Sequence, residues 1–422
     1  MSEPDRSQTW WRAATVALVL VWLLAIGRWM VADVWDETNA LVAFGSSTWT
    51  TGEALRFVLT QSMGIWRPLP SALAVLVIRG LGDPERAWVV MRVLNVVMLL
   101  SSLGLFVMAM NRWGGVSWRR TALFALTFLY SAGALIVAGW FANLFDAWTL
   151  LLIALGVMLM SRERFVGAGI AFGISFFCKE TAALALPMLV LFAAAGYLSL
   201  RQALRAGIPA SVLGAIYFSL RHRVIPFGSS ADTHQFLAAD FFPTIVGLAE
   251  SFWRQTMWGE GPGVLGFVWF AFSVAAMPGW RTRGAFLLLV LATAVIYWQM
   301  FSVYQNEVLI HYLMFVGRLY LIPVVMVLFV LAMKREWALA VLAVPLLAGA
   351  IVTYTRYERF QESYRAIYRH AAGSTARPIR VHFPMKPLSD PIRGVEIGDL
   401  PEASLVLDPA SGRLLPRKPA AP

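Results

Sequence analysis

The stretch AATVALVLVWLLAIGRWMV, residues 13–31, runs directly into ADVWDETNA, residues 32–40. The first segment is apolar for long enough to cross a bilayer. The second places Asp33, Asp36 and Glu37 where that helix leaves the lipid. Helix ends need polar residues, so the acids are open to reading as a simple boundary. Carboxylates at membrane depth are costly, however, and carry a functional reading by default. The rest of the chain decides between the two.

Working outward, the whole composition is that of a membrane protein. The 422 residues are 59% hydrophobic and 14% charged, with 18 Trp, and the mean hydropathy is +0.66. A soluble domain carries roughly 25% charged residues. The N-terminus is polar, its apolar run is long, and no small-residue cleavage site precedes the acids, so it reads as a retained first helix. The single cysteine, Cys178, excludes an internal disulfide and a cysteine metal site, and the five histidines lack metal-ligand spacing.

The net charge of +11 is distributed as a topology signal and excludes a nucleic-acid reading. Spans are expected near 13–31, 87–110, 120–138, 145–160, 165–178, 181–198, 204–220, 262–278, 284–302, 314–333 and 337–354. With the N-terminus in the cytoplasm, the inner turns carry Arg112, Arg119 and Arg120; Arg162 and Arg164; Arg201 and Arg205; Arg281 and Arg283; Lys334 and Arg335. The opposite turns at 139–144 and 303–313 hold no Lys or Arg, as the positive-inside rule requires. The expectation is an all-α integral membrane fold of about eleven spans with a periplasmic C-terminus. Residues 67–82 are too short for a span, and counting them would move the arginines outside; they are expected as an interfacial helix, with a similar short helix over 53–65. The first outer loop then covers about 32–86, the membrane domain 1–355, and a small extracytoplasmic tail 356–422. That tail, rich in proline from about 372, is too small for a substantial core of its own; packing on the outer loops, assisting a binding site there, and disorder all stay open.

Three polar interruptions fall on the same side as Asp36. One is Cys178-Lys179-Glu180, between two apolar runs with almost no loop. Another is the turn from Gly139 to Asp146, which includes Trp140 and Asn143. The third is Tyr304-Gln305-Asn306-Glu307, followed by His311 and Arg318. On a helix Glu307, His311 and Arg318 share one face. Each has a plainer reading: Lys179 and Arg318 snorkelling to headgroups, Asp146 as a helix N-terminal charge, and His311 as an interfacial histidine. Their gathering at one membrane face is harder to explain that way.

The motifs now fall in an order. Asp36-Glu37 is followed by Trp66-Arg67-Pro68-Leu69, Gly82-Asp83-Pro84, Arg92-Val93-Leu94-Asn95, the Trp-containing turn at 139–146, and Lys179-Glu180-Thr181-Ala182 with Leu186-Pro187. This order resembles the GT-C superfamily of membrane glycosyltransferases, most of all the branch of protein O-mannosyltransferases, lumenal TPR-bearing mannosyltransferases and lipid A aminoarabinose transferases. The resemblance covers roughly residues 10–190 and is weaker to 335. It implies transfer of a sugar, with inversion, from a polyprenyl-phosphate donor to a glycan, lipid or protein acceptor at the outer face of the membrane; the compact chain with few Asn-x-Ser/Thr sites reads as bacterial, which makes that membrane the inner one. It implies Asp36 as the base on the acceptor hydroxyl, with Glu37 beside it. Lys179 and Arg318, with His311 and Arg67, become the group that holds the departing phosphate. An inverting transfer needs that arrangement on physical grounds too: a base facing the sugar carbon and a cationic cradle for the leaving charge. Members of the branch commonly carry a histidine or acid in the second outer turn; this chain offers Asn143 and Asp146, so Asp146 and Glu180 are the candidates for a second acid. Related oligosaccharyltransferases hold a divalent metal with several carboxylates. The sparser carboxylates here lead to no expected cofactor, with a divalent metal as the alternative left open.

The rival class is a transporter or flippase of lipid-linked sugars. Transporters show internal repeats and midplane polar residues, whereas this chain shows no convincing repeat and its charges gather at one face. A third reading, a noncatalytic membrane assembly factor, predicts tolerance to changes at Asp36.

Overall fold

A computed structural model describes residues 6–27, 48–60, 66–139, 144–225, 264–304 and 321–373. In the C-terminal part it describes 379–382, 388–390, 395–398, 400, 402–407 and 414–416. The helices are α1 (Arg6–Gly27), α2 (Thr51–Thr60), α3 (Pro68–Leu81), α4 (Pro84–Gly114), α5 (Trp118–Leu129), α6 (Ala132–Gly139), α7 (Leu144–Ser161) and α8 (Phe165–Ser175). After a 3-10 turn at Glu180–Leu184 come α9 (Ala185–Ala194), α10 (Leu200–Val224), α11 (Val264–Ala276), α12 (Gly279–Tyr304), α13 (Leu321–Lys334) and α14 (Glu336–Gly373). The chain is a polytopic helical membrane protein, as its hydropathy requires.

Among the described residues five helices are long and apolar enough to cross a membrane: Gln8–Gly27, Val89–Gly114, Leu144–Ser161, Leu200–Val224 and Gly279–Ile296. The expected span at 120–138 is a sixth, bent by 61° between α5 and α6. The break is satisfied locally, since Ser131 Oγ donates to the Phe128 carbonyl at 2.8 Å and accepts from the Ala134 amide at 3.2 Å. Irregular backbone at membrane depth is tolerated when it is buried in protein. The segments expected as spans at 165–178 and 181–198 hold shorter helices than their apolar runs. Helix α8 has 11 residues and the helix Glu180–Ala194 is also short. At 1.5 Å per residue they reach only about 16 and 22 Å, against a hydrocarbon core of about 30 Å. Helix α3, of 14 residues and about 21 Å, is likewise short of a span, as expected for the interfacial segment. It starts on Pro68 and stops where Gly82 adopts a left-handed φ of 62° and donates its amide to the Ile78 carbonyl. Helix α2 opens with reciprocal bonds between Thr50 and Glu53, a capping box. The Thr50 amide and hydroxyl hold the Glu53 carboxyl below its ordinary range.

Helix α8 fits between α7 and α10 because it is built from small residues. A methyl at Gly169 would lie 2.2 Å from the Ala206 carbonyl oxygen, and one at Gly173 2.4 Å from Leu213. Close approach of this kind drives helix association in lipid.

Contacts gather the basic turns at one end of the bundle. Trp113 stacks on Tyr197 at 5.3 Å, and Lys334 lies over the same ring at 4.7 Å. Thr282 donates to the Ala194 carbonyl, and Arg119 and Arg120 both pair with Glu336. The other end is fixed by helix length. Asp146 in α7 precedes Arg162 by sixteen residues, and Tyr217 in α10 follows Arg201 by sixteen, about 24 Å in each case.

The C-terminal part departs most from expectation. The boundary at 355/356 falls inside α14, a 38-residue helix. Beyond it lies a five-stranded sheet of β1 (Ile379–His382), β2 (Leu388–Asp390), β3 (Val395–Gly398), β4 (Leu405–Leu407) and β5 (Leu414–Pro416), in the order β2-β3-β1-β4-β5. The inner pairs, β1 with β3 and β1 with β4, are parallel, and the outer pairs are antiparallel. Val381 of β1 and Ile367 of α14 are both fully buried in the continuous apolar core. A small sheet is thus added to the helical fold, supported by the helix that precedes it.

Candidate active site

The sequence break at Cys178-Lys179-Glu180 is the centre of the site. Helix α8 unwinds after Ser175, whose carbonyl accepts the amides of Cys178 and Lys179 at 3.0 and 3.1 Å. Lys179 is extended, with φ −165° and ψ 146°, and Glu180 opens the 3-10 turn. Successive side chains on extended backbone point to opposite sides, so the two charges are sent to different partners. Lys179 Nζ meets Asp146 Oδ1 at 2.5 Å. Glu180 Oε2 accepts Nε and Nη2 of Arg67 at 3.3 and 3.2 Å. The four side chains are 3–8% exposed.

The sequence-based alternative of a snorkelling Lys179 is therefore corrected: its ammonium ends on a carboxylate inside the protein. Asp146 does occupy the first turn of α7, where the helix dipole favours it, and it is also a counter-ion. In this arrangement Asp146 and Glu180, the candidates for a second acid, are both engaged by cations.

The two pairs form one cluster. The Arg67 guanidinium lies over the ring of Phe145, next to Asp146, at 5.1 Å. Arg67 immediately precedes α3, whose Leu69 amide donates to the Phe177 carbonyl at 3.3 Å. Tyr217 of α10 closes the cluster from behind. Its hydroxyl lies 3.0 Å from the Trp66 carbonyl and 3.1 Å from Glu180 Oε1, and its one proton serves whichever of the two it faces. Its ring stacks on Trp66 at 5.5 Å, with Phe177 edge-on to both. Trp66 is fixed in turn by its indole N–H to the Leu59 carbonyl. The starts of α3, α7 and the helix at Glu180–Ala194 thus meet two cations. Helix N-termini carry partial positive charge, so the end of the bundle where they converge favours anions beyond the two carboxylates already there.

Sequence reasoning missed Tyr217, Arg221 and Phe145. Arg221, 3% exposed, stands four residues after Tyr217 on the same face of α10, and this spacing in an apolar helix was the available signal. Arg92 and Asn95 entered only as a motif; both are buried, and Asn95 donates to the Val137 carbonyl at the end of α6. Asp36, Glu37, His311 and Arg318 lie outside the described residues, as do Trp140 and Asn143. Among the described residues no three His, Cys, Asp or Glu side chains gather as a metal group would.

The architecture is similar to the crystal structure of ArnT from Cupriavidus metallidurans in the apo state, with a TM-score of 0.50 at 15% identity, over 89% of this chain and 82% of that one. No family model and no curated protein matches the sequence. At this identity the likeness speaks for the fold alone: the chain has a polytopic helical membrane fold similar to that of ArnT.

Proposed function

We propose that the chain is a membrane glycosyltransferase that moves a sugar from a polyprenyl-phosphate donor to an acceptor at the outer face of the bacterial inner membrane, with inversion. The observation that carries this reading is the buried cluster of Arg67, Lys179, Asp146 and Glu180 at the end of the bundle away from the basic turns. The ArnT-like fold supports it. Charged side chains inside membrane domains mark functional sites, and a donor that is itself a lipid needs its phosphate met at membrane depth.

In this mechanism Lys179 and Arg67, with Arg318 and His311, hold the phosphate while negative charge develops on it. Asp36 takes the proton of the acceptor hydroxyl, with Glu37 beside it. Arginine suits the phosphate because its fork can bond two oxygens. The acceptor oxygen attacks the anomeric carbon as the bond to the phosphate oxygen breaks, leaving polyprenyl phosphate.

The test is release of polyprenyl phosphate by the purified protein in detergent, given a polyprenyl-phosphate sugar and an acceptor extract. Detergent abolishes the two compartments, so an enzyme releases product and a flippase releases none. Asp36→Asn is expected to lose roughly 10²–10⁴-fold in turnover while keeping expression and donor binding. Near-normal release by that variant would remove Asp36 as the base, and absence of release by the wild type across several donors and acceptors would favour a transporter.

A further inference from the structure

The two ion pairs at the centre of the cluster are built differently. Glu180 is held from two directions: Arg67 reaches Oε2 through two nitrogens, and the Tyr217 hydroxyl lies 3.1 Å from Oε1. The Tyr217 ring is itself stacked on Trp66, the residue before Arg67. Moving this arm means unpacking α10 from the start of α3. The other arm is an ammonium on a carboxylate of a different helix, Lys179 Nζ on Asp146 Oδ1. Lysine carries its charge on a flexible four-carbon stem with three rotatable donors. It can turn from one anion to another without movement of the backbone.

We propose that Asp146 is a stand-in for the donor phosphate: it neutralises Lys179 while the site is empty and yields the ammonium to the phosphate when the lipid binds. This rests on the reading of the cluster as the phosphate site, and gives Asp146 a role other than acid. An uncompensated buried ammonium is strongly destabilising, so a cation kept for a transient ligand needs a resident anion between turnovers. The exchange also has a direction. The bound donor is a phosphodiester with one negative charge, and the leaving polyprenyl phosphate is a monoester that carries more. Lys179 is therefore drawn further from Asp146 as the glycosidic bond breaks, which stabilises the transition state over the ground state. Once the product moves, Asp146 recovers the ammonium and so competes with product for it. Arg67, fixed on Glu180, keeps its place throughout.

The sign of one mutation separates this role from that of a catalytic acid or a permanent clasp. The probe is undecaprenyl phosphate, titrated into the purified full-length protein in detergent and read by tryptophan fluorescence. Asp146→Asn is expected to lower Kd about tenfold, equivalent to ~1.4 kcal/mol. Lys179→Ala should weaken binding, and the double variant should match Lys179→Ala, because the gain operates through the ammonium. Equal or weaker binding by Asp146→Asn, with the wild type binding through Lys179, overturns the exchange and leaves the phosphate site standing. A wild type that does not bind, with Lys179→Ala indistinguishable from it, overturns both. Inorganic phosphate and a bulk anionic phospholipid are run alongside, and equal tightening toward either would mark a general anion site and overturn the link to the carrier lipid. If Asp146→Asn folds only with lipid present, chase of preloaded radiolabelled undecaprenyl phosphate reads the same sign: slower release supports the exchange, and equal or faster release overturns it.

Discussion

The bundle carries ion pairs at both ends, with similar distances and opposite surroundings. At the basic end Arg119 and Arg120 share Glu336 at 2.9 and 3.0 Å, with side chains 60%, 37% and 22% exposed. At the other end Lys179–Asp146 and Arg67–Glu180 are at most 8% exposed. Exposed pairs contribute about 0–1 kcal/mol. Buried pairs give little net stability over an apolar replacement, yet removing one partner costs about 3–5 kcal/mol. The basic end is thus a topological marker whose pairing is incidental. A membrane core gains little stability from the four buried charges over apolar residues of similar volume.

The contrast breaks most visibly at Lys179 and Asp146. Asp146→Leu alone should destabilise the ligand-free protein by about 3–5 kcal/mol, and Asp146→Leu with Lys179→Leu should recover most of it, read as thermal aggregation in detergent. The double variant should still lack turnover. If it stays as unstable as the single one, the pair is a structural clasp and the contrast between the two ends weakens.

A smaller effect is expected at Tyr217. Tyr217→Phe keeps the stack on Trp66 but leaves one of two acceptors, the Trp66 carbonyl or Glu180, short of a donor, costing about 1–3 kcal/mol. Because Arg67 is then less firmly oriented, KM for the donor should rise more than kcat falls. The smallest effect belongs to the basic end. Glu336→Gln should change stability by less than about 1 kcal/mol, more weakly still at high salt, with turnover unaltered. A loss of several kcal/mol there would mean that the exposed pairs also carry structure.

The polar breaks were legible in the sequence because charge is conspicuous in an apolar chain. Lys179-Glu180 and Asp146 stood out for that reason, and both lie at the buried cluster. The pairing was not legible: Asp146 and Lys179 are 33 residues apart, and Arg67 and Glu180 are 113 apart, so only the packed fold decides which acid meets which base. Tyr217 was hidden in an apolar run where an aromatic reads as lipid-facing. Hydropathy also overestimated α8 and its successor, since it measures how apolar a segment is and not whether its backbone stays helical. At Ser175 the ladder stops although the apolar run continues to Cys178. The sheet escaped because its strands are three or four residues long. The alternation in Ile379-Arg380-Val381-His382 and in Val395-Glu396-Ile397-Gly398 was present, but its parallel partners are set by chain return and not by any local turn.

Helix α14 runs 38 residues without interruption, about 57 Å, so roughly 27 Å of it exceeds the hydrocarbon thickness. Such a shaft transmits azimuth as well as reach. Excising seven residues between Tyr354 and Gly373 would draw the sheet about 10 Å toward the bilayer and turn it only about 20°. Excising two would shift it about 3 Å and swing it through about 200°. Helical phase, more than stalk length, sets which side of the sheet looks back along the bundle.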